Sequence, residues 1–237
     1  MKIQVTGSGD NKKIKMIICG PSGNGKTRSA VYLKRSGRRI LIISCEAGLA
    51  SISDENIDYI DISIDDNGAL IPKEKRILRL MEIYKLLQTK EFMDKYDTIF
   101  IDSLSELSAC LHDMLKLEFP DRKDSLVLFG TLSQKSKDLV RAFRDQPNYH
   151  IIFTCLNKIE KDDNGRRYSG FSMIGGIADL LPQYFDEVLQ IRINQEGKKE
   201  FVCHATETMV CKDRSGKLLP VEPYDLGDIF NKILTNG

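Results

Sequence analysis

A glycine-rich octapeptide, Gly20 to Thr27, is the stretch of this sequence whose residue types and spacing are best suited to chemistry. It reads Gly-Pro-Ser-Gly-Asn-Gly-Lys-Thr and follows an apolar run of strand length that begins at Ile14. The spacing G-x-x-x-x-G-K-T is that of the phosphate-binding P-loop. Glycines let the backbone turn sharply and bring successive N–H groups close to an anion, which also faces the positive end of the following helix. The sequence therefore predicts a nucleotide-binding site.

Two residues of this loop have side chains with expected roles. Lys26 is expected to contact the β- and γ-phosphates, and the hydroxyl of Thr27 is expected to bind Mg²⁺. The other candidate nucleotide-binding residues complete the loop and open the helix: Gly20, Pro21, Ser22, Gly23, Asn24, Gly25 and Arg28. The alternative is a glycine-rich turn that binds nothing. We predict ATP, ADP and Mg²⁺ as the ligands.

A second candidate, Asp102, ends the apolar stretch Thr98 to Asp102, which reads as a buried strand. P-loop enzymes use an Asp in this position to hold the water shell of Mg²⁺, so Asp102 is the expected Walker B residue. Many strands end in Asp, and this prediction therefore depends on the neighbouring P-loop. Ser103 then begins a helix through a capping box with Glu106.

Strands and helices alternate along most of the chain and must position these residues. Strands are predicted at 14–20, 39–45, 57–64, 98–102 and 149–155, and helices at 26–34, 73–91, 103–119, 125–144 and 225–234. Nearly continuous apolar strands are typical of parallel strands buried on both faces. From Glu187 onward the pattern changes to β-hairpins, with strands predicted at 188–193, 201–205 and 208–211. We predict an α/β three-layer P-loop fold, in one domain over residues 1–237, with a mostly parallel core sheet and a C-terminal antiparallel extension.

Composition limits the partners and the compartment. Lys and Arg number 35 against 34 Asp and Glu, so any contact with nucleic acid must come from a local basic patch. No apolar stretch approaches the roughly 18 residues of a membrane span, and the polar N-terminus does not resemble a signal peptide. The six cysteines lack a C-x-x-C pair and read as reduced core residues. We expect a cytoplasmic protein with no membrane partner.

The polar segment from Asn157 to Gly176 is a candidate DNA-binding loop. A loop of this length inside a compact domain is usually functional or disordered. Its basic groups would neutralise phosphates while an aromatic ring stacks on bases. The candidate residues are Lys158, Lys161, Arg166, Arg167, Tyr168 and Phe171. Asp162 and Asp163 dilute this patch, and the basic face around Lys137 and Arg141 is the alternative site.

Together these stretches resemble the RecA-type ATPases, in particular the short phage-encoded members that act as ATP-binding single-strand annealing or recombination proteins. The resemblance covers nearly the whole chain and includes Cys45-Glu46-Ala47-Gly48 and Asp102-Ser103, each at a strand end. It implies that Glu46 activates the attacking water as a catalytic residue. It also implies single-stranded DNA as a partner and the cytoplasm of a host cell as the location.

The stretch from Val210 to Gly216 is similar to a basic element of that family. The resemblance implies that Lys212 and Arg214 reach the ATP site of an adjacent subunit as catalytic residues, which requires a homo-oligomer in the active state. Two residues apart on a strand, they are expected to project to the same face. The alternative is a solvated strand end. The family also has a glutamine after its penultimate core strand, where this chain has Thr154 and Asn157.

Three functions are open at this point. The first is a Mg²⁺-dependent ATPase that binds single-stranded DNA and assists annealing or recombination. The second is a nucleotide-dependent interaction module that recruits replication or recombination proteins without touching DNA. The third is a phosphotransferase of the small-kinase type, which the sequence favours least because no lid with clustered arginines is evident.

Overall fold

The computed structural model describes residues 13–46, 48–121, 125–161, 165 and 167–235. Its strands are β1 (Lys15–Gly20), β2 (Ile40–Ser44), β3 (Asp58–Asp61), β4 (Thr98–Asp102), β5 (His150–Lys161), β6 (Arg167–Phe171), β7 (Glu187–Ile193), β8 (Lys199–Val202), β9 (Lys212–Asp213) and β10 (Val221–Pro223). Together they form one ten-stranded sheet, in the order β10-β8-β7-β1-β5-β4-β2-β3, with β6 beside β5 and β9 beside β7.

The helices are α1 (Ser29–Arg35), α2 (Arg76–Leu86), α3 (Lys90–Lys95), α4 (Leu104–Glu118), α5 (Ser125–Arg144), α6 (Leu181–Tyr184) and α7 (Leu226–Leu234). Short 3₁₀ turns occupy Leu49–Ile52, Lys73–Lys75 and Ala178–Leu180. Within the described ranges, no helix combines the length and the apolar character that crossing a bilayer would require.

Six parallel strands form the centre of the sheet, in the order β7-β1-β5-β4-β2-β3. Every residue of β2 and β4 is buried, which explains why both strands read as unbroken apolar runs. The carboxyl ends of these parallel strands meet at one side of the sheet, which we call the carboxyl edge. There Ser44 lies opposite Asp102, and Gly20 lies opposite Leu156.

The sheet separates two hydrophobic clusters and so gives three layers. Ile17 and Ile43 point into one cluster, to which α2, α4 and α5 contribute. Their neighbours Ile18 and Ile42 point into the other cluster, to which α1 and α7 contribute. This alternation is the two-residue period of a β-strand with both faces buried. The predicted α/β P-loop architecture is confirmed.

The antiparallel strands lie mainly on the side of the sheet beyond β7. β8 and β9 pair with β7, and β10 pairs with β8, all antiparallel. The expected C-terminal antiparallel extension is therefore confirmed. β10 was not predicted, however, and the strand expected at 208–211 is replaced by the two-residue β9.

Two predictions of local structure were wrong. The helix expected at 73–91 is divided, because Thr89 adopts an extended backbone and its Oγ1 accepts the N–H of Phe92 (3.5 Å), which caps α3 as a separate helix. The described part of the segment from Asn157 to Gly176, which was expected to be a polar loop, is largely strand. There β5 continues to Lys161 and pairs with β6 as an antiparallel hairpin.

Candidate nucleotide-binding site

The glycine-rich loop joins β1 to α1 at the carboxyl edge. Gly23 and Gly25 have φ angles of 78° and 97°, a region that residues with a Cβ rarely adopt. A Cβ at Gly25 would also collide with the hydroxyl of Tyr224, whereas nothing lies within 4 Å of a Cβ at Gly23. The glycines are thus required by the shape of the loop, and at Gly25 also by a close approach from elsewhere in the fold.

Lys26 is buried inside this loop, with 8% of its surface exposed. Its ammonium donates to the carbonyl oxygens of Gly20 and Pro21, each at 2.9 Å. Burial lowers the pKa of Lys26, and the charge of Asp102 partly offsets this effect. Phosphate oxygens would offer stronger, charge-assisted partners than these neutral carbonyls. The geometry therefore suits an ammonium that exchanges the carbonyls for a phosphate.

Asp102 is the centre of a polar network beside the loop. One carboxylate oxygen accepts a hydrogen bond from Thr27 Oγ1, and the other accepts one from Thr154 Oγ1. Thr154 lies on β5, which separates β4 from β1 in the sheet. A carboxylate and a hydroxyl are hard oxygen ligands of the kind that Mg²⁺ prefers. The donor set formed by Thr27 and Asp102 therefore fits this metal.

Glu46 lies two residues beyond β2 at the same edge. The main-chain N–H of Cys45 donates to the carbonyl oxygen of Asp102 (2.6 Å), which fixes this segment against the end of β4. The hydroxyl of Ser103 donates to Glu46 Oε1. The side chain of Glu46 is nevertheless exposed. It is thus held beside Asp102 and remains accessible to water.

The guanidinium of Arg28 is held away from the glycine-rich loop. It donates to the carbonyl oxygen of Ser51 (2.6 Å) and pairs with Glu55 (3.0 Å) and, more distantly, with Asp54 (3.7 Å). These partners belong to the segment that follows β2. The side chain of this candidate nucleotide-binding residue therefore connects the start of α1 to the segment that follows β2.

Lys212 and Arg214 lie near the amino ends of the parallel strands, at the edge of the sheet opposite the glycine-rich loop of their own chain. Lys212 is opposite Val188 near the start of β7, and its ammonium donates to the carbonyl oxygens of Pro182 (2.7 Å) and Phe185. Arg214 donates to Asp186 (2.7 Å), with 60% of its side chain exposed. Lys212 is therefore engaged within its own chain, and Arg214 is the more accessible of the two cations.

The candidate DNA-binding residues lie on the β5–β6 hairpin, which extends beyond the carboxyl edge. Lys161 and Arg167 are register partners, and both are exposed. Lys158 pairs with Glu160 (2.5 Å), which also accepts a hydrogen bond from the hydroxyl of Tyr168 (3.1 Å). The hairpin thus presents basic side chains, but one of them is already neutralised by a neighbouring carboxylate.

One residue of this set was wrongly predicted, and another lies outside the described residues. Phe171 is only 2% exposed and belongs to the hydrophobic core, so it is not available to stack on a base. It ends β6 where the hairpin joins the body of the protein, and it is buried there. Arg166 is not among the residues that the structure describes. Near the hairpin base, Asn157 donates to Ser169 Oγ (3.0 Å).

Sequence reasoning missed Tyr224, which follows β10. Its hydroxyl donates to the carbonyl oxygen of Gly25, a residue 199 positions away in the sequence. The Tyr224 ring stacks on Phe201 (5.3 Å between centroids) and meets Tyr32 edge-on (5.4 Å). Only the tertiary fold brings Tyr224 to the glycine-rich loop, so no local pattern could have indicated this contact.

The comparison with protein-family models agrees with this geometry. A family model described as an AAA domain matches residues 12–215. No curated protein matches the chain. One solved structure to which the chain is similar is a prototypical ATPase from the type III secretion system of pathogenic bacteria. That match has a TM-score of 0.42 and 15% identity, and it covers 77% of this chain and 52% of the other.

This chain therefore spans about half the length of that secretion ATPase. The family match does not extend to the finer resemblance to phage annealing and recombination proteins. It does cover most of the chain, including the glycine-rich loop, Glu46, Asp102 and the β5–β6 hairpin. The chain belongs to the AAA-domain family of P-loop ATPases.

Proposed function

We propose that this protein binds ATP with Mg²⁺ at the carboxyl edge of its sheet and hydrolyses it. The observation that best supports this proposal is the carboxylate of Asp102, held between the hydroxyls of Thr27 and Thr154 beside a buried lysine. Burying charged groups costs free energy unless they are paired and hydrogen-bonded. A turn that merely connects β1 to α1 would need neither charge.

The loop residues bind and orient the triphosphate in this proposal. Lys26 transfers its hydrogen bonds from the carbonyls of Gly20 and Pro21 to phosphate oxygens, while N–H groups of the loop surround the anion. Thr27 and Asp102 would hold Mg²⁺, which when bound neutralises charge on the phosphate oxygens. Thr154 keeps the Asp102 carboxylate in a fixed orientation.

Glu46 is the residue that orients the attacking water and accepts its proton. Ser103 fixes one carboxylate oxygen of Glu46, and the exposure of the side chain lets water reach it. Catalysis of phosphoryl transfer depends mainly on such positioning and on electrostatic stabilisation. The pairing of β2 with β4 supports this role, because it sets Ser44, two residues before Glu46, opposite Asp102.

We further propose single-stranded DNA as the partner of the β5–β6 hairpin, with a role in annealing or recombination as in the phage proteins that the sequence resembles. Lys161 and Arg167 are exposed on neighbouring strands and could contact consecutive phosphates. The hairpin rises from the edge that holds the nucleotide residues, which would allow DNA and ATP to influence each other.

A nucleotide-dependent interaction module is the second candidate function. Ile159 is 64% exposed on the same hairpin, and an apolar side chain there suits a protein partner better than a phosphate backbone. Trans action by Arg214 in a homo-oligomer also stays a proposal. The engagement of Lys212 with main-chain carbonyls of its own chain gives no support to a trans role for that residue.

Lys26→Ala should abolish most nucleotide affinity and leave the fold intact, because the hydrogen bonds that the described residues offer to its ammonium come from the loop itself. A ligand that binds only the native state stabilises it by about 2.7 kcal/mol at a hundredfold excess over its dissociation constant. Thermal unfolding with and without Mg-ATP measures this difference. The exposed Lys85 on α2 provides the control Lys85→Ala, which should retain the full shift. Equal shifts in the Lys26 variant and the parent would contradict the assignment.

Glu46→Gln should bind Mg-ATP as the parent does and hydrolyse it about 100-fold more slowly, because an amide cannot accept a proton. Release of inorganic phosphate measures hydrolysis, and calorimetry measures binding. Glu91→Gln, the same chemical change on the exposed start of α3, should have no effect on either. Undiminished turnover in the Glu46 variant would mean that this side chain only ends the β2 segment.

Replacing both Lys161 and Arg167 with Ala should weaken binding of a single-stranded oligonucleotide and flatten its salt dependence. Each phosphate contact contributes about 0.7 to the slope of log affinity against log salt for single strands, so two contacts contribute about 1.4. The control removes two exposed charges elsewhere, Lys85→Ala with Lys90→Ala. An equal loss of oligonucleotide affinity in both double variants would exclude a specific site on the hairpin. If the parent did not bind the oligonucleotide even in the presence of ATP, the interaction module would be favoured.

A further inference from the structure

The β7–β8 hairpin brings a lysine to the glycine-rich loop from the antiparallel side of the sheet. Lys199 opens β8 opposite Ile193, at the carboxyl edge. Its ammonium nitrogen lies 3.0 Å from the position that a Cβ of Gly25 would occupy. The same nitrogen lies 5.5 Å from the ring centroid of Tyr224, whose hydroxyl donates to the carbonyl oxygen of Gly25. Lys199, Tyr224 and Gly25 thus form one cluster.

The other described cations of this hairpin have carboxylate partners. Arg192 pairs with Glu200 (2.5 Å) and Lys198 pairs with Glu196 (2.9 Å). In the described part of the chain, no carboxylate oxygen lies within 4.0 Å of the Lys199 nitrogen. Its positive charge is therefore placed against the rim of an anion-binding loop without a neutralising acid, and its side chain is exposed enough to move.

We propose that Lys199 is a phosphate-binding residue that contacts the polyphosphate of the bound nucleotide from the rim of the loop, within the same chain. This inference rests on the proposed binding of ATP. An anion in the loop would lie against the backbone around Gly25, and the ammonium nitrogen lies only 3.0 Å from the position that a Cβ of Gly25 would occupy.

Tyr224 acts as a positioning residue for this contact. Its ring lies under the ammonium of Lys199, and its hydroxyl holds the Gly25 carbonyl, so one side chain fixes the distance between the cation and the loop. The stack on Phe201 of β8 keeps the ring in place. The antiparallel strands β8 and β10 thereby supply a second wall of the nucleotide site, in addition to the parallel strands that hold Asp102 and Glu46.

Equilibrium binding of Mg-ATP and of inorganic triphosphate to the full chain tests this inference. Lys199→Ala should lower the affinity for both ligands by about tenfold, because one charge-assisted hydrogen bond is lost. Lys199→Arg should restore affinity to within about threefold of the parent, because the charge is kept. Lys198→Ala, which removes the adjacent lysine, is the matched control and should bind as the parent does. Lys199→Ala should also show a shallower dependence of affinity on salt.

Three outcomes would overturn the inference. If Lys199→Ala and Lys198→Ala bound both ligands with equal affinity, Lys199 would not be part of the site. The proposed function would still hold in that case, provided that the parent binds ATP. Weaker ATP binding with unchanged triphosphate binding would mean that Lys199 contacts the nucleoside and not the phosphates. Absence of ATP binding by the parent itself would overturn the proposed function, and this inference with it.

Discussion

Parallel pairing of β2, β4, β5 and β1 is the constraint on which the candidate site depends. It aligns four carboxyl ends at one edge, so that Thr27 and Thr154 reach Asp102 from 75 and 52 residues away in the sequence. β2 and β4 are buried along their whole length, as are β1 after Lys15 and the first six residues of β5, so their register is strongly specified by packing. The chemistry of the edge is a consequence of the packing of the sheet below it.

The hydrogen-bond partners that the protein gives to Lys26 and Asp102 are ones that a bound ligand could replace with stronger partners. Lys26 and Asp102 carry opposite charges and are only 8% and 9% exposed, so each needs hydrogen-bond partners within the protein. Asp102 has two hydroxyl donors, while Lys26 has two neutral carbonyls. Phosphate would be a better partner for the ammonium, and a divalent cation a better partner for the carboxylate. Both charged groups are therefore hydrogen-bonded within the protein, and both would gain stronger interactions when nucleotide and metal bind.

Local patterns sufficed where the chemistry is encoded in consecutive residues. The glycine-rich loop and the Asp102 strand end were both apparent in the sequence, because backbone geometry and burial require those residue types at that spacing. Sequence patterns were less informative where tertiary packing determines the position and contacts of a side chain. Phe171 reads as an available aromatic but closes the core at the base of the hairpin, and Lys212 reads as an exposed finger but donates to carbonyls of its own chain. Tyr224 gave no signal, since its partner Gly25 is distant in the sequence.

A crystal structure of the protein with Mn²⁺, as a substitute for Mg²⁺, and a non-hydrolysable ATP analogue tests the central claim most directly. We predict that the ammonium of Lys26 leaves the carbonyls of Gly20 and Pro21 for phosphate oxygens. The anomalous signal of the metal should lie within ligand distance of Thr27 Oγ1 or, through a bound water, of the Asp102 carboxylate. An analogue bound elsewhere, with Lys26 still on its two carbonyls and no metal beside Thr27, would contradict nucleotide binding at this edge.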